Sequence, residues 1–183
     1  MYNCTTSNNN NAFGKDACRV VSTGLHNTGM GHGAIENVTT GDNNTGVGYN
    51  SQASGATVDN EFTLGDSSIA NLRCQDTSIS TVSDERDKTN IVDIPLGLTF
   101  LNTVRPVSFD WAARDGSKVG KKDFGFIAQE LKIAEDATDY ADHMRLVHDN
   151  NPDLLEADPM KMFPIVIKAL QELSAKVTAL ENA

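Results

Sequence analysis

The sequence predicts two unlike regions: an N-terminal all-β repetitive segment over residues 1–82, and a C-terminal α+β domain over 83–183 closed by a long helix at 159–181. Three observations predict this. Gly14, Gly31, Gly48 and Gly65 recur at a constant spacing of 17 residues. Composition changes abruptly at 82/83: the first region holds 10 charged residues, 10 of the 14 Gly and 12 Asn, whereas the second holds 30 charged residues and the only Trp, Trp111. The last stretch carries Phe163, Val166, Leu170, Leu173, Val177 and Leu180 at a 3-4-3-4-3 spacing, a heptad seam.

The repeat keeps several phases at once, which a flexible Gly/Asn linker has no reason to do. An apolar residue precedes each of the four Gly (Phe13, Met30, Val47, Leu64), and a small one follows three positions later (Ala17, Ala34, Ser51, Ser68). Thr6, Thr23, Thr40 and Thr57 run upstream, and Asn10, Asn27 and Asn44 keep step until Glu61 breaks their series. No helical period is present. Short β-prone pieces, Thr45–Tyr49 and Phe62–Leu64, alternate with Gly and Asn turn signals. Stacked units align Phe13, Met30, Val47 and Leu64 as one apolar ladder. That ladder is too thin for a single-chain solenoid, so the expected architecture is a homotrimeric β-roll, β-prism or triple β-helix with the three ladders on a shared axis. The recurring Gly permits positive φ or close backbone approach. From Ile69 to Val82 the repeat fades, and one or two short strands are expected.

Past the boundary, Pro95–Val104 reads as a short helix with Leu96, Phe100, Leu101 and Val104 on one face. Val107, Phe109 and Trp111 alternate as a half-buried strand. Ala113–Lys122 reads as a hairpin tip, Phe124–Ile127 as a strand and Ala128–Ile133 as a helix, followed by an acidic loop from Glu135. Met144–Val147 and Leu154–Ala157 read as a pair of short strands. Asp158-Pro159 is an N-cap and first-turn pair for the final helix, on which Glu172 and Lys176 form an i,i+4 pair. The heptad seam packs either on its own domain or, as favoured here, on the same helix of sister chains.

Composition excludes several functions. A formal net charge of −10 opposes nonspecific nucleic-acid binding and docking on anionic membrane. No apolar run approaches the roughly 18–20 residues that span a bilayer, so no membrane insertion is expected. The first residues have neither a basic n-region nor an apolar h-region. Cys4, Cys18 and Cys74 lack metal spacing and read as free thiols of a chain made in a reducing cytoplasm. His26, His32, His143 and His148 show no ligand spacing, so neither metal nor cofactor is expected.

The boundary itself reads Ser83-Asp84-Glu85-Arg86-Asp87-Lys88-Thr89-Asn90-Ile91. Alone, such a stretch is a helix cap with an exposed charge run. A serine with a lysine five residues on also suits nucleophilic cleavage, since the hydroxyl needs a base to take its proton. Lysine serves only when desolvated or beside positive charge. Arg86 could supply that charge, whereas Asp84, Glu85 and Asp87 would oppose it; burial of Lys88 on assembly would then switch it on. Ser83 Oγ can attack the carbonyl of Val82 through a five-membered ring, whereas its own carbonyl would require a four-membered one. Val82–Ser83 is therefore the preferred scissile bond, with Ser83–Asp84 left open to another nucleophile.

Four ordered blocks resemble one family. The 83–91 stretch resembles the SDxRxKxxI start of the C-terminal intramolecular chaperone domains of phage tail spikes and fibres, the endosialidase-type or S74 self-cleaving peptidases. Arg105–Trp111, Gly125–Glu130 and Met162–Leu173 are similar to its P-v-x-F-x-W, GFIAQE and closing l-x-P-l-l-x-A-I-Q-E-L segments. Asp87 departs from the pattern, because an apolar residue is common there. The resemblance implies a domain that trimerises and folds the shaft upstream of it and then releases itself, with Ser83 as nucleophile and Lys88 as general base. Arg86 and Asn90 would be supporting residues, and Gln129-Glu130 structural. It also implies assembly in the host cytoplasm, a fibre in the virion tail, and a host surface receptor, a glycan, bound through the shaft or tip. The alternative is a structural or receptor-binding trimeric tip that keeps its chaperone uncut.

Overall fold

The computed structural model describes residues 8–76 and 78–183, so Cys4 and Thr6 lie outside the described residues. It divides into two compact units. One comprises the chain up to Asn71 with Asp110–Lys122 and Asp149–Leu155; the other comprises Leu72–Phe109, Asp123–His148 and Glu156–Ala183.

The first unit is a coil with one short strand per turn. Strands β1 (Asn11–Phe13), β2 (Thr28–Met30), β3 (Thr45–Val47) and β4 (Phe62–Leu64) form a parallel sheet in the order β1-β2-β3-β4. Asn11 pairs with Thr28, Thr28 with Thr45 and Thr45 with Phe62, so the register advances by the period of the sequence. The bends are also bonded coil to coil, as by Cys18 N–H to Ala34 O and Ile35 N–H to Ser51 O.

The expectation that one chain is too thin to close its own coil is overturned. The chain encloses Cys18, Val21, Ile35, Val38 and Ala53, with Val58 packed against them. The expected ladder instead lies on the outside, with Phe13 77 % and Met30 51 % exposed. Strand alternation explains the swap: the central positions of β2 and β3, Gly29 and Gly46, are the buried ones, so the neighbouring Phe13/Met30/Val47/Leu64 row turns outward. The tube is narrow enough that a Cβ on Gly46 would sit 2.6 Å from Ile35 Cγ2.

Asparagines seal the interior. Asn27 and Asn44 are fully buried. Asn10 Oδ1 accepts from Asn27 N–H (2.7 Å), Asn27 Oδ1 from Asn44 N–H (2.9 Å), and Asn44 Oδ1 from Glu61 N–H (3.0 Å). Their amide groups donate sideways to Gly24, Gly41 and Val58 carbonyls. Glu61 ends the ladder because its carboxylate accepts from Ser54 N–H (2.7 Å) instead of continuing the pattern. Within the same unit, Asn151 Nδ2 donates to Ser54 O (2.6 Å) and Arg114 to Asp153 O, so the 110–122 and 149–155 segments fasten to the coils.

The second unit begins with an extended segment. No strand forms among the described residues between Ile69 and Val82, contrary to expectation, and Ile79 and Val82 are 95 % and 81 % exposed. Helix α1 is shorter than the expected 95–104 and runs Leu98–Leu101 with Phe100 buried. Strands β5 (Val107–Asp110) and β6 (Lys122–Gly125) form a two-stranded sheet. The second strand thus begins earlier than Phe124, at the end of the tip.

Helix α2 spans Ala128–Asp136 and includes part of the stretch expected as an acidic loop. Glu135 is buried because its carboxylate accepts the Leu146 N–H (2.7 Å). Helix α3 (Ala141–Met144) replaces the start of the expected strand, which shrinks to β7 (Val147–His148), antiparallel to β8 (Glu156–Ala157). Asp158 caps a 3-10 turn at Pro159–Met162, and α4 follows at Phe163–Glu181 with Pro164 in its first turn.

Helix α4 presents two faces. Ile165 and Ala169 are buried, as is Met162 in the turn before the helix, and α1 packs along α4. Most of the heptad seam is exposed, including Leu170, Leu173, Val177 and Leu180. The seam is therefore not spent on the chain's own domain. Glu172 does not serve as the partner of Lys176: its Oε2 accepts the Leu98 N–H (2.9 Å) at the start of α1. Gly97 allows this approach, since a Cβ there would lie 2.4 Å from the Glu172 carboxylate.

Candidate active site

Local chain geometry alone brings Ser83 and Lys88 together. Asp84, extended at φ −66° and ψ 137°, is the N-cap of a 3-10 turn over Glu85–Asp87. Its Oδ1 accepts the Arg86 N–H (2.9 Å), satisfying a donor that a helical start leaves orphaned. Asp87 N–H and Lys88 N–H bond back to Asp84 O and Glu85 O (3.2 and 3.1 Å). This one turn reverses the chain enough for Lys88 Nζ to reach Ser83 Oγ at 2.7 Å and Ser83 O at 3.0 Å. Asn90 then takes a left-handed φ of 53°, which redirects the chain after the lysine.

The remaining charges are arranged differently from the sequence-based reading. Arg86 does not supply positive charge to Lys88. Its Nε and Nη2 grip Asp84 Oδ1 and Oδ2 at 2.9 and 2.7 Å. The Arg86 side chain, followed by the Arg86 N–H, holds the Asp84 carboxyl below its ordinary value, and Asp84 in turn raises Arg86. Among the described residues, no carboxylate lies within ion-pair distance of Lys88. Val82 and everything from Ser83 to Asn90 are exposed, so the desolvation that would free the lysine is not provided by this chain alone.

The arrangement can move a proton between a hydroxyl and an amine at hydrogen-bond distance and place a cation on the Ser83 carbonyl. A groove of about 720 Å³ between α1 and α2 is a separate feature. Phe100, Ile133 and Ala134 line it, the Arg105–Glu130 pair and Glu172 edge it, and Ser83 and Lys88 lie outside it. Arg105 Nε donates to Glu130 Oε2 at 3.0 Å, so the Arg-Pro and Gly-Phe-Ile-Ala-Gln-Glu stretches are tied together by an ion pair. That hydrogen bond is the main reason the Glu130 carboxyl is lowered. The Glu172 contact with α1 is not legible in the sequence, because its helical spacing to Lys176 offers an equally good partner.

Residues 83–141, just under a third of the chain, match the model of the peptidase S74 family, described as chaperone of endosialidase. No curated protein and no solved structure matches the chain.

Proposed function

We propose that residues 83–141, which match the chaperone-of-endosialidase model, belong to an intramolecular chaperone domain that assembles a trimeric tail fibre or spike and then cuts the chain at Ser83. The observation that carries the cutting is the 2.7 Å contact between Lys88 Nζ and Ser83 Oγ inside the matched segment. In this reading residues 1–82 are the shaft and 83–183 the chaperone. Sister chains cover the outward Phe13/Met30/Val47/Leu64 row and the α4 seam, and the shaft or tip meets a glycan receptor on the host.

The chemistry follows from the dyad. Neutral Lys88 takes the proton of Ser83 Oγ while the oxygen attacks the Val82 carbonyl carbon through a five-membered ring. The C–N bond of Val82–Ser83 breaks, and the proton passes to the Ser83 nitrogen as it becomes an amine. The ester formed between Val82 and Ser83 Oγ is hydrolysed by water, releasing the Val82 carboxylate and restoring the hydroxyl. A second reading, cleavage of Ser83–Asp84, has its own support: Lys88 Nζ lies 3.0 Å from the carbonyl oxygen of that bond and would polarise it for an attacking water.

Intact mass of the purified wild-type chain beside Ser83→Ala and Lys88→Ala tests the proposal. Fragments meeting at 82/83 or 83/84 in the wild type, absent from both variants, support it. The two bonds give fragments differing by one serine residue. Three whole chains in an assembled sample would leave the domain as an uncut clamp, the structural or receptor-binding alternative.

A further inference from the structure

We propose that Arg86 is a positioning residue for the dyad, holding the Asp84 carboxylate away from Lys88 so that the lysine can act as a base. The inference rests on the self-cleaving reading above. The turn carries three carboxylates and two cations in five residues, Asp84 to Lys88. A carboxylate beside an ammonium stabilises the protonated form and so works against a lysine that must accept a proton. Asp84 is the dangerous one, because it adjoins the nucleophile and sits at the other end of the turn that folds Lys88 back onto Ser83.

Asp84 is fully occupied elsewhere. Both of its oxygens are bonded to the Arg86 side chain, and one also accepts the Arg86 N–H (2.9 Å). Such a two-pronged grip is geometrically specific to a guanidinium. Lys88 Nζ bonds only to Ser83 Oγ and Ser83 O among the described residues. Glu85 and Asp87 both precede the lysine in the turn and are exposed, with no ion pair to it among the described residues. Every residue from Ser83 to Asn90 is exposed. Arg86 thus sorts the charges, pairing one cation with the nearest carboxylate and leaving the other to the serine.

The size of the effect is modest and readable. A freed carboxylate about 5 Å from the ammonium, in water-like surroundings, reduces the fraction of free amine at a given pH by about fourfold. Burial on assembly would enlarge it. The test uses the full chain with four sequences: wild type, Arg86→Ala, Asp84→Asn and the double variant. Asparagine keeps the capping oxygen, so the turn survives.

The expected result is cleavage about fourfold or more slower in Arg86→Ala, with its pH profile displaced upward. Asp84→Asn alone calibrates what the substitution does to the turn and to the bond beside it, and the double variant should match Asp84→Asn in rate and profile instead of Arg86→Ala. An Arg86→Ala chain that cuts normally, or a double variant as slow as Arg86→Ala, overturns the inference while leaving the Ser–Lys reading intact. A wild-type chain that never cuts overturns that reading and this role together. An independent readout is the pH response of the Lys88 ε-methylene NMR resonance in a Ser83→Ala background. It should move to higher pH with Arg86→Ala and return when Asp84→Asn is added; no movement also overturns the inference.

Discussion

Single residues in the coils do several jobs each, and their removal should be costly. Asn44 satisfies the Glu61 N–H and the Val58 carbonyl at once from a fully buried position. Asn44→Ala leaves both groups short of a partner, and the expected loss is about 2–4 kcal/mol from the usual penalty per buried unsatisfied group, measured by urea unfolding. Gly31 holds φ +133°, and a Cβ there would meet Gly48 O at 2.3 Å. Asp115 sets an acid limit. Hydrogen bonds from Ser67, then Ser117, lower its carboxyl from 3.8 to about 2. A depressed folded value stabilises above the unfolded one and is lost as pH falls through the folded one. The attachment of the 110–122 tip to the coil carrying Ser67 should therefore loosen between pH 4 and pH 2. Hydrogen exchange at the tip across that window checks this, and Asp115→Asn should abolish the pH dependence.

Helix α4 separates two roles on two faces. Ile165 is 2 % exposed on the face that carries the buried residues. Ile165→Ala should cost about 2–5 kcal/mol through a core cavity, seen as a lower urea midpoint of the second unit. Leu173 is 46 % exposed on the heptad seam. Leu173→Lys should leave helix content unchanged, because lysine has a helix propensity close to that of leucine, yet reduce the oligomer seen by analytical ultracentrifugation. Unchanged assembly in Leu173→Lys would remove the seam from the proposed interface. Glu172 shows why element ends were hard to place from sequence. The first amides of α1 have no intrahelical partner, and the acceptor for Leu98 N–H comes from 74 residues away. Local propensity around Pro95–Val104 contains no trace of it.

At the scale of the whole molecule, the Ser83–Lys88 contact on which the proposed dyad rests is formed but solvated. Lys88 reaches Ser83 within one turn, yet the segment from Ser83 to Asn90 is exposed throughout. If assembly supplies the missing desolvation, cleavage should rise with chain concentration at fixed pH, and Leu173→Lys should slow it in parallel with its loss of oligomer. Cleavage independent of concentration, equal in Leu173→Lys, would place the whole reaction within one chain. The outward row containing Phe13 and Met30 makes a matching expectation for the coils: Met30→Lys should hinder association while sparing the single-chain core of Ile35 and Val38.

Periodicity, composition and motif order were enough to determine the 17-residue repeat, the β-prone pieces at Thr45–Tyr49 and Phe62–Leu64 in which strands form, and the terminal helix, and they singled out Ser83 and Lys88, which the local turn brings into contact. These are local facts: a strand alternates, a helix repeats, and a five-residue spacing closes one turn. The tertiary structure alone decided which row faces inward. Cys18, Val21, Ile35 and Val38 recur over only two turns, too few to compete in sequence with the four-membered row of Phe13, Met30, Val47 and Leu64. The coil's bends turn the shorter set inside. It likewise decided the partners of Glu172 and Arg86, because a long charged side chain has several acceptors or donors within reach in sequence and only packing selects among them.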